Sequence, residues 1–224
     1  MKIEKLSIVI PAYNEACTIE EVIRSAAASA LKLAPHVEII VVDDHSADET
    51  TEIVERIMRD ARDLTLVLLR QERNMGKGAA LKRGFLAATG DVIIVQDADL
   101  EYDPQDYRML LKPILDEHTR ADVVYGSRFR GEIRKIGYFW HSIGNKFLTA
   151  LSNMLMGLNL TDMETGYKVF RRDVIQHIAP TLESQRFDIE PEITAKIAKG
   201  KWRLFEVPIS YSGRTYEEGK KIGW

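Results

Sequence analysis

The sequence predicts an α/β protein built on a mostly parallel, Rossmann-like sheet with helices on both faces. Continuous apolar runs such as residues 6–10 and 37–42 are typical of parallel strands that are buried on both sides. Segments of helical periodicity separate these runs as far as residue 125. Regular alternation of strands and helices favours a parallel sheet covered by helices.

The individual elements follow from the same two patterns. Strands are expected over residues 6–10, 37–42, 64–70, 91–96 and 122–125, with helices between them over residues 18–33, 48–62, 76–88 and 105–117. Thr18 and Glu21 predict a capping box at the start of the first helix. The later chain is less regular, and there we expect helices over residues 138–160 and 190–199 and a strand over residues 203–207.

Composition places the chain among ordinary globular proteins with one core. Its 224 residues fit a single domain, 1–224. This domain divides into two halves, residues 1–126 and residues 127–224. The formal net charge of −3 gives no overall attraction to nucleic acid, so an anionic ligand needs a local cluster of cations. A single cysteine, Cys17, excludes an internal disulfide and fits a reducing, cytoplasmic compartment. The sequence shows no secretory signal and no apolar run long enough to span a membrane.

Three carboxylates stand at alternate positions directly after the fourth predicted strand. They are Asp97, Asp99 and Glu101. Because side chains alternate along an extended chain, this spacing can turn acidic groups toward one point. Hard oxygen ligands gathered in this way suit Mg²⁺ or Mn²⁺, ions that commonly bind phosphate groups as well.

Three other predicted strands end in residues that suit a nucleotide. In open α/β sheets ligands bind beyond the carboxyl ends of the strands, so these residues are expected to share one edge. An aromatic face serves a base, carboxylates serve a ribose or base edge, and a lysine between two glycines at a helix start serves a phosphate. Each ending taken singly is compatible with an ordinary turn, but four on one edge predict a nucleotide site. The residues are Pro11, Tyr13, Glu15, Asp43, Asp44 and Lys77.

The same motifs resemble a known enzyme family. Residues 9–15, 41–46, 74–78, 97–99 and 126–128 occur here in the order found in family 2 glycosyltransferases of the GT-A fold. Among these, the chain is similar to the polyprenyl-phosphate (dolichyl-phosphate) mannosyl- and glucosyltransferases over nearly its whole length. The resemblance implies an inverting, metal-dependent transfer of a hexose from GDP-mannose or UDP-glucose to a polyprenyl or dolichyl phosphate. It also implies an enzyme bound peripherally at the inner face of the membrane.

The resemblance further assigns residues on the donor side. Pro11, Tyr13, Glu15 and Asp43 would line the nucleoside pocket. Asp99 and Glu101 would hold the Mg²⁺ or Mn²⁺ ion, with Asp97 nearby. Mannosyl members of the family often carry glutamine where this chain has Glu101. A carboxylate still serves as a ligand there, but it adds negative charge.

Basic residues of the second half complete the expected site. Arg128 follows the fifth strand, and its planar fork matches the oxygens of an acceptor phosphate. Arg214 and Lys220 resemble a family loop that closes over the donor phosphates, although Gly219 stands where mannosyl relatives commonly carry serine. The residues expected to take part in catalysis are therefore Asp99, Arg128 and Lys220.

Two other functions remain open from the sequence. A lipid phosphate has a second pKa of roughly 6, so at neutral pH it is already a nucleophile and needs no general base. A transferase of the same fold that glycosylates a sugar hydroxyl would need one, and Asp162 and Glu164 are the candidates. A nucleotide-binding module without catalysis is the third hypothesis, which the full set of metal and phosphate ligands disfavours.

Residues 138–160 allow two interpretations. They form either a helix that packs on the core, or an interfacial helix whose Phe139, Trp140 and Phe147 lie in the membrane surface. Cations at Lys135, His141 and Lys146 would suit a phosphate headgroup.

Overall fold

The computed structural model of the chain describes residues 2–61, 64–130 and 139–213. Side chains in helix 139–156 are described from residue 142 onward. The strands are β1 (Lys5–Ala12), β2 (His36–Asp43), β3 (Thr65–Arg70), β4 (Val92–Val95), β5 (Val123–Ser127), β6 (Lys168–Arg171) and β7 (Leu204–Pro208). The helices are α1 (Ile19–Ala30), α2 (Thr50–Asp60), α3 (Lys77–Ala87), α4 (Tyr107–Leu115), α5 (Phe139–Met156), α6 (Arg172–Ile178) and α7 (Ile189–Gly200).

The seven strands form one mostly parallel sheet in the order β3-β2-β1-β4-β6-β5-β7. Neighbouring strands run parallel except at β6, which is antiparallel to both β4 and β5. This arrangement confirms the predicted fold class. Strand β6 was not predicted, because it has only four residues and begins with a lysine that looks like the end of a polar turn.

The core consists of two apolar layers, one on each face of the sheet. Side chains of β1 alternate between them, since Ile8 and Ile10 join one layer and Val9 joins the other. Double-sided burial explains why the strand is apolar without interruption. Helix α3 packs so closely on its face that a Cβ atom at Gly84 would lie 2.3 Å from Val9 Cγ1.

The predicted capping box at α1 is wrong. Thr18 stands at the N-cap position, but its side chain caps no amide of the helix. Its hydroxyl instead donates a hydrogen bond of 2.6 Å to the carbonyl oxygen of Ala98, in the loop after β4. The threonine therefore ties the start of α1 to the acidic segment of the site.

A helix must be long and apolar to cross a membrane. Among the described residues, no helix is both long and apolar enough to cross a bilayer.

Candidate active site

The loops after β1 and β2 are bonded to each other at the carboxyl edge of the sheet. The amide of Asn14 donates to Ser46 Oγ over 2.9 Å, and Asn14 Oδ1 accepts from the amide of Ala47 over 2.7 Å. Both loops contain a non-glycine residue with positive φ, 53° at Asn14 and 64° at His45. Such strained conformations persist only where the surroundings fix them. The two loops therefore form a rigid wall at this edge.

The predicted nucleoside residues at the end of β1 and in the loop after it lie along this wall. Pro11 is half-buried, and Tyr13 leaves 40% of its surface exposed, so its ring is accessible to a planar ligand. Glu15 is half-buried, and its Oε2 lies 3.0 Å from Thr18 Oγ1.

Asp43 and Asp44 at the end of β2 are both buried and bonded internally. Asp43 Oδ2 accepts from Thr51 Oγ1 over 3.0 Å. Asp44 accepts from the amides of Met75 and Gly76 over 2.8 and 2.7 Å. Carboxylates commonly bind exposed backbone amides in this way. Asp44 thus shapes the loop that leads to α3, and the direct ligand contacts of both residues remain predictions.

Two glycines flank Lys77 because another segment packs against them. A Cβ atom at Gly76 would lie 2.5 Å from the carbonyl oxygen of Gln185, and one at Gly78 would lie 2.5 Å from that of Ser184. Gly76 also has a φ of 95°, which glycine adopts without strain. The glycines permit this contact, which brings the segment before α7 to the start of α3.

Lys77 lies between two carboxylates. Its Nζ is 2.9 Å from Asp97 Oδ1 and 3.3 Å from Glu190 Oε1. Burial acts to lower the pKa of Lys77, but the charges of Asp97 and Glu190 outweigh it and raise the pKa above its ordinary value. Lys77 therefore keeps its positive charge beside the predicted metal-binding segment. Glu190 was not among the predicted site residues.

A second buried lysine continues this network. Lys168, at the start of β6, is 1% exposed and forms an ion pair with Glu190 Oε2. Asp97, Lys77, Glu190 and Lys168 thus form a chain of alternating charges that crosses the centre of the sheet edge. We refer to these four residues as the charge chain.

The three predicted metal ligands do not form a ready-made cluster. Across residues 2–61, 64–130 and 142–213, no group of three or more His, Cys, Asp or Glu side chains is arranged to hold a metal ion. Asp97 pairs with Lys77, and Glu101 Oε2 accepts a hydrogen bond of 2.7 Å from Tyr211 Oη. Mg²⁺ is often held by one or two carboxylates together with substrate phosphates. The half-buried Asp99 and its neighbours fit that arrangement, and the three-carboxylate set remains a prediction.

Arg128 is held by Asp162, which the sequence analysis named with Glu164 as a candidate general base. Its Nε and Nη2 donate to the two carboxylate oxygens over 2.7 Å each, and its amide donates to Oδ2 over 3.1 Å. Asp162 is fully buried and also accepts from Asn145 Nδ2 over 3.3 Å. Since these bonds occupy both oxygens, Asp162 is poorly suited to act as a base. Nη1 of Arg128 takes no part in the pair.

Glu164 has a different environment from Asp162. It is half-buried, and burial together with the nearby charge of Glu190 raises its pKa above the ordinary value. The turn that carries it approaches Asp97 closely, because a Cβ atom at Gly166 would lie 2.1 Å from Asp97 Oδ2. Both proposed halves of the site therefore meet at this turn.

Helix α5 has its polar side inward and its apolar side outward. Thr149 and Ser152 are buried, and Asn145 contacts Asp162. The outward side consists of large apolar residues, of which Phe147 is 67% exposed and Leu155 73%. The other exposed apolar residues of α5 are Ile143, Leu148, Leu151 and Met154. A helix of this kind suits an apolar environment outside the protein.

Several predicted residues lie outside the described parts of the chain. They are Arg214, Lys220 and Lys135, together with the side chains of Phe139, Trp140 and His141. Lys146 is described, and it is exposed on α5.

Comparison with known proteins gives a consistent picture. Residues 7–179 match the profile of a family described as Glycosyl transferase family 2. An uncharacterized protein of Methanocaldococcus jannaschii is 30% identical over 211 residues, which cover 92% of this chain and 81% of that protein. The undecaprenyl-phosphate 4-deoxy-4-formamido-L-arabinose transferase of Sodalis glossinidius is 27% identical over 98% of this chain, and the chain spans 64% of that relative's length.

A solved structure has the same fold. Glucosyl-3-phosphoglycerate synthase from Mycobacterium tuberculosis, in complex with Mn²⁺, UDP and glucosyl-3-phosphoglycerate, matches with a TM-score of 0.69 at 22% identity. The match covers 96% of this chain and 74% of that chain. At this identity the likeness establishes the architecture.

Proposed function

The chain belongs to glycosyl transferase family 2, and on this premise we propose that it transfers a hexose from a nucleotide sugar to the phosphate of a polyprenyl lipid. The observation that carries the proposal is helix α5. Its apolar side faces outward, while Asn145 on its other side contacts Asp162, which holds Arg128. The arginine proposed to bind the acceptor phosphate is thus linked, through Asp162, to the helix whose outward side suits lipid.

The donor is proposed to bind at the edge formed by β1, β2 and β4. Tyr13 offers an exposed ring for the base, and Lys77 offers a cation for the diphosphate. The structural neighbour that binds UDP and Mn²⁺ supports a nucleotide and a divalent ion. Asp99 and Glu101 would hold Mg²⁺ or Mn²⁺, which would offset negative charge on the leaving diphosphate. Both GDP-mannose and UDP-glucose remain candidate donors.

The reaction is proposed to need positioning and charge more than proton transfer. An oxygen of the acceptor phosphate attacks the anomeric carbon while the bond from that carbon to the donor diphosphate breaks, so the configuration inverts. Arg128 Nη1 holds the acceptor phosphate, and Lys77 stabilises the diphosphate as it departs. Arg214 and Lys220 are proposed to close over the donor phosphates.

The enzyme is proposed to act at a membrane surface. Six exposed apolar residues of α5 provide an area that can sink into the headgroup region, with the exposed Lys146 beside it to contact anionic lipid. The relative named as an undecaprenyl-phosphate transferase supports this type of acceptor. Binding through α5 would be peripheral, at the cytoplasmic face.

A hydroxyl acceptor is the second candidate, and Glu164 is the observation that favours it. A carboxyl group with a raised pKa is better suited to take a proton from a hydroxyl than an ordinary one. This alternative would make the chain a transferase acting on a polysaccharide or glycolipid.

Product analysis distinguishes the two functions. The enzyme is incubated with Mn²⁺ and either radiolabelled GDP-mannose or UDP-glucose, and with polyprenyl phosphate or sugar acceptors. We expect the label in a lipid product, from which mild acid releases the labelled sugar, and no label in the sugar acceptors. Transfer only to hydroxyl groups would replace the first function by the second, and no transfer from either donor would contradict both.

A further inference from the structure

We propose that Lys168 and Glu190 are positioning residues that determine how available Lys77 is to the diphosphate of the donor. The inference rests on the proposed function, because it assumes that an anionic donor binds beside Lys77. It concerns two buried residues that contact no substrate in that function. Glu190 competes with the donor for Lys77, and Lys168 limits this competition.

The geometry divides the charge of Glu190 between two lysines. Oε1 faces Lys77 at 3.3 Å, whereas Oε2 forms the closer ion pair with Lys168. Lys77 is nearer to Asp97, at 2.9 Å. Glu190 is 4% exposed, so water screens these interactions little. The strength of the interaction between Glu190 and Lys77 therefore depends on how strongly Lys168 interacts with the same carboxylate.

Lys168 is itself firmly fixed. Its ammonium group donates to the carbonyl oxygens of Met163, over 3.2 Å, and Thr165. It also lies 4.7 Å from the centre of the Tyr125 ring, within the range of a cation–π interaction. Because these contacts hold the ammonium group in place, the pairing of Lys168 with Glu190 is a permanent feature of the site. Lys77, which is partly exposed, is the member of the charge chain free to change partner.

Charge counting gives the direction of each effect. The charge chain is neutral, with two carboxylates and two ammonium groups. Removal of Lys168 leaves one excess negative charge and gives Lys77 the undivided attraction of Glu190. Removal of the Glu190 charge leaves one excess positive charge and releases Lys77 toward an incoming anion. The two changes should therefore alter diphosphate affinity in opposite directions.

The test is isothermal titration calorimetry with UDP and with GDP at a fixed Mn²⁺ concentration. For whichever nucleotide the wild type binds, Lys168→Met is expected to weaken affinity about tenfold and Glu190→Gln to strengthen it about threefold. The variant with both changes should return to within about threefold of the wild type. In a Lys77→Met background, each change should alter affinity less than about twofold.

A matched control separates positioning from damage to the fold. Glu38→Gln removes the charge of another buried glutamate, which pairs with Lys5 Nζ at 2.6 Å near the amino ends of β1 and β2 and has no bond to the charge chain. Its nucleotide affinity should equal that of the wild type. If Lys168→Met does not fold, as judged by circular dichroism, Glu190→Gln with and without Lys77→Met still gives the answer.

The outcomes are separable from those of the proposed function. A wild type that binds neither nucleotide would contradict the proposed donor and with it this inference. If the wild type binds a nucleotide but Lys168→Met and Glu190→Gln shift its affinity in the same direction, the inference alone is overturned. It is also overturned if each change shifts the affinity equally with and without Lys77→Met.

Discussion

Lys77 and Arg128 lie on the same edge of the sheet, but their carboxylate partners hold them differently. Lys77 is shared between Asp97 at 2.9 Å and Glu190 at 3.3 Å, and 18% of its side chain is exposed. Arg128 commits both arms of its fork to Asp162 over 2.7 Å each, and that carboxylate is fully buried. One cation has two weaker partners, and the other has a single strong one.

This difference bears on what each cation can do when an anion arrives. Lys77 can exchange a carboxylate for a phosphate while the other carboxylate still compensates its charge. Arg128 cannot leave Asp162 without stranding a buried charge, which costs several kcal/mol. Arg128 therefore offers an anion only its free Nη1 group, in a fixed direction. We expect the donor side of the site to adapt and the acceptor side to stay rigid.

The largest effect is expected where the rigid pair is broken. Asp162→Asn keeps the shape of the side chain but leaves Arg128 without its counter-ion, which should lower the free energy of unfolding by about 3–5 kcal/mol. Urea denaturation at pH 7 measures this change. Asp122→Asn is the matched control, because Asp122 pairs with Arg203 in the same two-armed geometry but Arg203 is 47% exposed. An equal loss of unfolding free energy in both variants would contradict the expectation that burial makes the Arg128–Asp162 pair costlier to break.

The next effect concerns the donor side. Asp99→Ala should remove the metal dependence of nucleotide binding and weaken binding in Mn²⁺ by at least about 100-fold. Calorimetry with UDP and GDP, with and without chelator, measures it. Asp103→Ala is the control, because that nearby carboxylate accepts from the amide of Gln105 at the start of a short helical turn. Unchanged affinity in Asp99→Ala would exclude Asp99 as a ligand.

The outward side of α5 gives the third prediction. Met154→Ser together with Leu155→Ser removes two large apolar groups, and vesicle binding should fall about 30-fold because less apolar area is buried in the bilayer. Sedimentation with vesicles that contain anionic lipid measures it. Leu86→Ser on α3 removes a residue that is 58% exposed elsewhere and should have no effect. A similar loss in both would show that binding is not confined to α5.

Arg128→Lys tests the fork directly. A lysine keeps the charge but loses the two-armed geometry and the Nη1 group, so KM for the lipid phosphate should rise about tenfold. The affinity for the nucleotide should stay within about twofold, since Lys77 and not Arg128 is proposed to hold the donor phosphates. Steady-state kinetics with both substrates varied would separate the two effects. An equal loss for both substrates would contradict the division of roles.

The smallest effect is expected at Glu164. Because an ionised phosphate needs no base, Glu164→Gln should keep at least about a third of wild-type turnover, whereas loss of a general base costs on the order of 10² to 10⁴. If Glu164 were the base, its raised pKa would place the acidic limb of the rate profile above the ordinary carboxyl range. A pH–rate profile over the acidic and neutral range would show that limb, and Glu164→Gln would abolish it.

The proposed donor side was largely predictable, and the contacts of the proposed acceptor side were not. Apolar runs identified β1 to β5, and the rule that ligands bind at the carboxyl ends of such strands brought Tyr13, Asp43, Lys77 and Asp97 to one edge. These residues could be placed without further information, because the direction of parallel strands alone determines that their carboxyl ends meet at one edge. The structure adds that Asp44 is used to shape a loop.

The missed features depend on contacts between distant parts of the chain. Glu190 follows the first residue of α7, where an acidic residue is common because it complements the helix dipole. Lys168 looks like a surface lysine at the end of a turn. Only the folded chain shows that they meet each other and Lys77. Asp162 was considered as a base or a turn residue, and nothing in the local sequence shows that it pairs with Arg128.

The position of β6 has a consequence for how the chain folds. Strand β5 has β6 and β7 as its neighbours, and residues 128–167 separate it from the nearer of them in sequence. During synthesis, β5 and the edge of β4 that pairs with β6 therefore stay unpaired until residues much later in the chain have been made. Exposed strand edges of this kind are prone to pair with other chains, and distant pairings slow folding. We therefore expect completion of the sheet to be a late step in folding and the one most exposed to aggregation.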